Sequence, residues 1–219
     1  MLPDYLSAAT KAAEILIDRR ISSAPVDPLP ILKSMSGVIV VSFTEMAERI
    51  GVDRQHLLGM FQTENHDAAT AVYNRDGQLR YVVVYNQRLP FYMLQRAIAR
   101  ELGHIVLGHD GSRPDDVRHD EALCFAQHLL CPRPIIKAVE NAGIPLTVEV
   151  VGSITGCYER CLAGMRKTPG VRVAPEINRV LKEQFAEYVA DFVDFQNFLK
   201  ADDESMLANF GTFMEGYEE

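Results

Sequence analysis

The sequence predicts an α+β fold: a small antiparallel sheet packed on two long helices, followed by a C-terminal helical extension. Three observations predict it. Residues 37–43, Gly-Val-Ile-Val-Val-Ser-Phe, are a continuous β-branched run of strand length. Ala68–Tyr73 and Leu79–Tyr85 are two further strand-like runs, and Asn74-Arg-Asp-Gly77 between them has the chemistry of a hairpin turn. Residues 91–131 then hold two long stretches whose apolar side chains recur at helical spacing.

The remaining elements follow in order. Leu6, Ala9, Ala13, Leu16 and Ile17 mark a helix over 3–20, and Arg19-Arg20 suit its C-terminal end. The Ser/Pro-rich residues 22–28 are a loop, and a short helix covers 29–35. Thr44–Ile50 and Asp53–Phe61 read as two short helices. Pro90 stands where a helix over about 91–108 can begin. After the polar loop 110–116, a second long helix spans about 116–131 and stops at Pro132. Shorter helices follow between 133 and 167, and Thr168-Pro-Gly170 breaks the chain. The last helix runs from about 175 to 200, with Phe185, Tyr188, Val189, Phe192, Phe195 and Leu199 as its apolar stripe. This divides the chain into a domain over 1–168 and a C-terminal helical extension over 169–219, whose end past about residue 200 is an acidic tail with little to bury.

Composition excludes several classes. Hydrophobic residues make up 47% and charged residues 24%, which fits a globular protein and not a disordered one. No apolar run reaches the roughly 18–20 residues of a membrane span. Met1-Leu-Pro-Asp-Tyr-Leu has neither the basic nor the apolar region of a signal peptide, so a cytoplasmic location and reduced cysteines are expected. Residues 1–175 carry 19 Lys+Arg and 19 Asp+Glu, whereas 176–219 carry 3 and 11. That balance and the acidic end argue against nucleic acid, whose phosphates must be neutralised. Met46–Leu57 resembles the first two helices of a helix-turn-helix reader but lacks supporting helices on both sides, so a DNA-binding regulator stands as the outlying alternative. Thr147–Lys167, with Arg160, Arg166 and Lys167, is a second such unit and reads as packing or partner-binding surface.

The chemistry is concentrated in the two long helices. In the first, Leu94, Ile98, Leu102 and Ile105 form the apolar stripe, and Glu101 lies beside it, between Ile98 and Ile105. A carboxylate there is partly buried and needs a partner. Arg100 and His104 stand one turn apart on a common face. In the second helix Ala122, Phe125, Ala126 and Leu129 form the core face, with Glu121 at its edge. Two helices that each aim a carboxylate at one seam outline a metal site or a buried ion-pair network.

A helix reading His-Glu-x-x-His binds zinc through its two histidines and uses the Glu as general base. Here Arg-Glu-Leu-Gly-His (100–104), Leu-Gly-His (107–109) and Glu-Ala-Leu-Cys-Phe-Ala-Gln-His-Leu-Leu-Cys-Pro (121–132) resemble the motifs of the ImmA/IrrE family of metallopeptidases. The likeness covers roughly residues 5–168. It implies a zincin-like fold, zinc, and a regulatory role in which a helix-turn-helix repressor, often of a mobile element, is the protein substrate or partner. It also implies His104 and Glu121 as metal ligands and Glu101 as general base.

The departure lies at position 100, where the family's first ligand is a histidine. Arginine stays charged and has no acceptor lone pair, so Arg100 is not a zinc ligand. It reads instead as a surrogate for the ion, its guanidinium pairing with Glu101, Glu121 or both. On this reading proteolysis is lost or reduced and the domain holds a partner; an active zinc endopeptidase with an unusual ligand set is the alternative. His109, roughly 140° round the helix from His104, reads as a partner of the helix C-terminus, with a ligand role as the second option. His119 and Asp120 point elsewhere on the helix, His128 lies about 10 Å beyond Glu121 along the axis, and His66 sits in a loop. Cys124, Cys131, Cys157 and Cys161 read as small buried hydrophobes before they read as a structural zinc site.

Overall fold

The computed structural model describes residues 2–61, 67–156 and 171–215. His66, Cys157, Cys161, Arg160, Arg166 and Lys167 lie outside the described residues.

Helix α1 (Tyr5–Asp18) starts at Asp4, whose carboxylate accepts from the Ser7 N–H at 2.9 Å. Its buried face is Ala8, Ala9, Ala12, Ala13 and Leu16, small enough for a neighbouring helix to pack close. Helix α2 (Pro28–Lys33) is capped by Asp27. Strand β1 (Val38–Ser42) leads into α3 (Phe43–Ile50) through a capping box, Ser42 and Glu45 satisfying each other's backbone N–H. Gly51, at φ 71°, ends α3 and turns the chain into α4 (Arg54–Phe61). The hairpin comprises β2 (Ala68–Arg75) and β3 (Gln78–Tyr85). Its turn is two residues shorter than the sequence suggests: Asp76 and Gly77, both at positive φ, make it alone, and pairing continues to Arg75–Gln78.

The sheet order is β1–β3–β2, with β2 antiparallel to β3 and β1 parallel to it. The sheet is therefore mixed, not wholly antiparallel. The reason is the connection: α3 and α4 bring the chain to the far edge at the end where β1 finishes, so β2 runs opposite to β1 and the hairpin turns β3 back into the direction of β1. Neighbouring residues on β3 face opposite layers. Val83 joins the main core, and Val84 joins a small cluster with Val41, Phe43 and Leu57 beneath α3 and α4.

On the main face lie α5 (Phe91–Val106) and α6 (Asp115–Leu130). They touch at Gly103, where an added Cβ would sit 3.0 Å from the Phe125 ring and 3.1 Å from the Ala122 carbonyl oxygen. Ile98, Leu102, Phe125 and Leu129 are fully buried there, together with Leu16 of α1. Helices α7 (Arg133–Asn141) and α8 (Val148–Thr155) continue the layer.

The C-terminal helix is two helices, α9 (Pro175–Gln184) and α10 (Ala186–Glu215), meeting at buried Phe185. Gln184 donates to the carbonyls of Leu16 and Ile21 and ties this junction to the end of α1. Phe185, Tyr188, Val189 and Phe192 pack on the core, whereas Phe195, at 55% exposure, and Leu199 face outward, so the stripe is buried over its first half only. The helical backbone continues through Asp202-Asp-Glu204 to Glu215. Among the described residues no helix is long and apolar enough to cross a membrane.

Candidate functional site

Glu101 and Glu121 are buried, at 4% and 2% side-chain exposure, and each has its own guanidinium. Arg100 donates from Nε (3.0 Å) and Nη2 (2.8 Å) to Oε1 of Glu101, and from Nη2 to the Ala68 carbonyl of β2 (3.1 Å). Thr70 of β2 donates its hydroxyl to Oε2 of Glu101 at 2.7 Å. Arg100 is itself 17% exposed, so this pair closes the seam between α5 and the sheet edge.

Glu121 is met from another direction. Arg113, in the loop before α6, donates from Nη1 to Oε2 at 2.7 Å. The Asp4 backbone N–H donates to Oε1 at 2.7 Å, so the start of α1 is fastened to α6. The His109 ring lies 3.0 Å from Oε2 through Nε2, and its Nδ1 lies 2.9 Å from Nδ1 of His104. His109 reaches this place because α5 ends at Val106 and Gly108, at φ 67°, turns the chain back. Its backbone N–H bonds the His104 carbonyl, but its ring goes to Glu121 and not to the helix end, which corrects the placement inferred by extending the helix to position 109.

Electrostatics fix the proton positions. Burial, then the neighbouring His109 and the Arg100 and Arg118 cations, push His104 down to about 3. Burial also lowers His109, against the pull of Glu121 toward the charged form. Both rings are neutral near pH 7. Glu121 as a carboxylate takes the His109 Nε2–H; the bare Nδ1 of His109 then takes the His104 Nδ1–H. The result is a one-way chain from His104 through His109 to Glu121. His119, at the outer surface, is lowered by burial and then by Arg100, with Asp120 and Glu101 acting the other way. Burial pushes the Cys124 thiol up to about 12, and its Sγ contacts the Tyr5 carbonyl at 3.5 Å, so it behaves as a packed hydrophobe.

The zinc that the resemblance implies does not fit this arrangement. His104 and Glu121 approach opposite nitrogens of one imidazole, and the lone pairs of those nitrogens diverge. Among the described residues no three His, Cys, Asp or Glu side chains are placed to hold one ion. The charge count agrees: two carboxylates face two guanidiniums and two neutral imidazoles, leaving no excess negative charge for a divalent cation.

Two groups result: Arg100 and Glu101 with Thr70 where α5 meets the sheet edge, and His104, His109 and Glu121 with Arg113 where α5 ends beside α6. Arg113, Thr70 and the Asp4 N–H were not foreseen. Arg113 and Asp4 lie outside the helical pattern that marks the seam, and Thr70 is one polar residue in a strand.

A three-stranded sheet covered by two helices that each bury a glutamate is consistent with a zincin-like fold. Residues 55–149, which include the hairpin, α5 and α6, match the family model described as the IrrE N-terminal-like domain. Over those residues the chain is similar to the ImmA/IrrE-like proteins. Neither the curated proteins nor the solved structures yielded a match.

Proposed function

We propose that this is a regulatory ImmA/IrrE-like domain that works by holding a protein partner, such as a helix-turn-helix repressor, and not by zinc-dependent cleavage. The observation that carries the reading is the pairing of both catalytic-position carboxylates with guanidiniums, Arg100 on Glu101 and Arg113 on Glu121. Glu101 accepts two N–H bonds from Arg100 on one oxygen and the Thr70 hydroxyl on the other, so both of its oxygens are already engaged. The ion pair instead makes the seam rigid and formally neutral. Strand β2 is an edge strand beside this seam, and an extended segment of a partner can add to such an edge.

The test is zinc stoichiometry and affinity, read by elemental analysis and calorimetry, on the parent, Arg100→His and Arg100→His/Arg113→Ala. The parent is expected to hold no stoichiometric zinc. Arg100→His restores the histidine of the motif and should raise affinity at least tenfold, and removing Arg113 as well should raise it further by freeing Glu121. Stoichiometric zinc in the parent that is lost in His104→Gln, with cleavage of a repressor that is lost in Glu101→Gln, would establish the active peptidase instead.

A further inference from the structure

A cavity of about 680 Å³ opens on the other side of α1, between α1, α7, the segment 171–174 and α9, away from the glutamate seam. Its volume falls in the range of small-molecule sites, roughly 300–1,000 Å³. Five cations line it: Arg133 and Lys137 of α7, Arg172, and Arg179 and Lys182 of α9. Among the described residues no Asp or Glu lines it, in a chain whose net charge is -8. Among the described residues Glu183 is the one acid paired with any of the five, 3.8 Å from Arg179 at the exposed surface. The helices α7 and α9 both begin at this cavity, and neither N-terminus carries a side-chain cap. The N-terminus of α7, with no acid in its first turn, adds to the positive side chains, whereas Glu176 stands in the first turn of α9. The wall itself is apolar, with Ala9, Ala13 and Leu181 among its residues.

A second feature is independent of the charge. His128 lines the same cavity at 8% exposure. Burial and the nearby Arg133 hold His128 down, to about 4, so near pH 7 it is neutral and offers one donor and one acceptor.

We propose that this cavity binds a nucleoside phosphate, with its base and sugar against the apolar wall and His128 and its phosphates among Arg133, Lys137, Arg172, Arg179 and Lys182. The number of cations selects the phosphate end: a single carboxylate would leave most of them facing one another unneutralised, whereas a triphosphate carries enough charge for the set. The size and the apolar wall select an organic body over inorganic phosphate. The neutral imidazole suits a base edge, which also carries donors and acceptors.

The experiment uses the full chain and ATP as probe, by calorimetry and by anisotropy of a fluorescent ATP analogue, with tripolyphosphate, adenosine and decanoate in parallel. ATP should bind saturably, one per chain, and weaken steeply with salt. Lys137→Glu and Arg179→Glu alter exposed side chains, so the fold should persist by circular dichroism while affinity drops tenfold or more. His128→Phe keeps a ring but removes both nitrogens, and should bring ATP down to the affinity of tripolyphosphate. The proposal is overturned if ATP fails to saturate the folded chain at millimolar concentration or if the charge reversals leave its affinity unchanged. It is equally overturned if tripolyphosphate binds the parent as well as ATP does, or if decanoate binds in preference, which would make the site one for carboxylate amphiphiles.

Discussion

Removing the Arg100 side chain tests the ion-pair reading of the seam most directly. In Arg100→Ala, Oε1 of Glu101 loses both of its guanidinium bonds, at 3.0 and 2.8 Å, and only the Thr70 hydroxyl on Oε2 remains. Glu101 is 4% exposed, so its charge is left buried and uncompensated. Breaking one partner from a buried pair costs about 3–5 kcal/mol. Arg100 is 17% exposed, however, and water can enter the vacated space, so about 2–4 kcal/mol is expected. For a domain of this size that lowers Tm by roughly 5–15 °C. Urea unfolding at neutral pH gives the free energy, and a cycle with Glu101→Gln separates the charge from the packing. If the cost is the unpaired carboxylate, Arg100→Ala/Glu101→Gln should be markedly more stable than Arg100→Ala alone. An Arg100→Ala protein within about 0.5 kcal/mol of the parent, the range of ordinary surface changes, would refute the reasoning. So would a double variant no better than the single one.

Other expected outcomes follow from the same geometry. His104 and His128 are held at about 3 and about 4 against an unperturbed 6.5, so the unfolded chain binds more protons than the folded one below neutrality. Their contribution is complete above about pH 6.5 and is lost as pH falls toward the folded values; at pH 5 each costs at most about 2 kcal/mol, which urea titrations at pH 7 and 5 on the parent and His104→Gln will measure. Gly103→Ala drives a methyl against the Ala122 backbone at 3.1–3.2 Å as well as the Phe125 ring, and backbone cannot give way cheaply. About 1–3 kcal/mol of destabilisation is expected by thermal unfolding, despite the better helix propensity of alanine, and a stabilised variant would show that α5 and α6 are farther apart than described.

The depth at which the site was legible varies with the range of the cause. Helical periodicity alone puts Ile98, Leu102, Phe125 and Leu129 inward, and the same wheel puts Glu101 and Glu121 at the edges of those stripes, because their positions follow from the 3.6-residue repeat within one element. Arg100 could be excluded as a ligand from its chemistry, but which carboxylate it meets depends on the Ala68 carbonyl and the Thr70 hydroxyl. Those groups belong to a strand some 30 residues away, and no local pattern encodes them. His109 was misplaced because the helical wheel was carried past Gly108, where the backbone has already left the helix. Arg113 lies in an irregular loop with no periodicity to aim it. The parallel pairing of β1 was hidden for a similar reason, since direction is set by the path of α3 and α4 and not by the composition of the strand. What the missed groups share is that each adds a donor to a carboxylate already legible as buried. A buried charge requires compensation, so the sequence implies that partners exist while leaving tertiary structure to choose them. Here that choice supplies one guanidinium per carboxylate, and the surplus negative charge that would attract a divalent ion is gone.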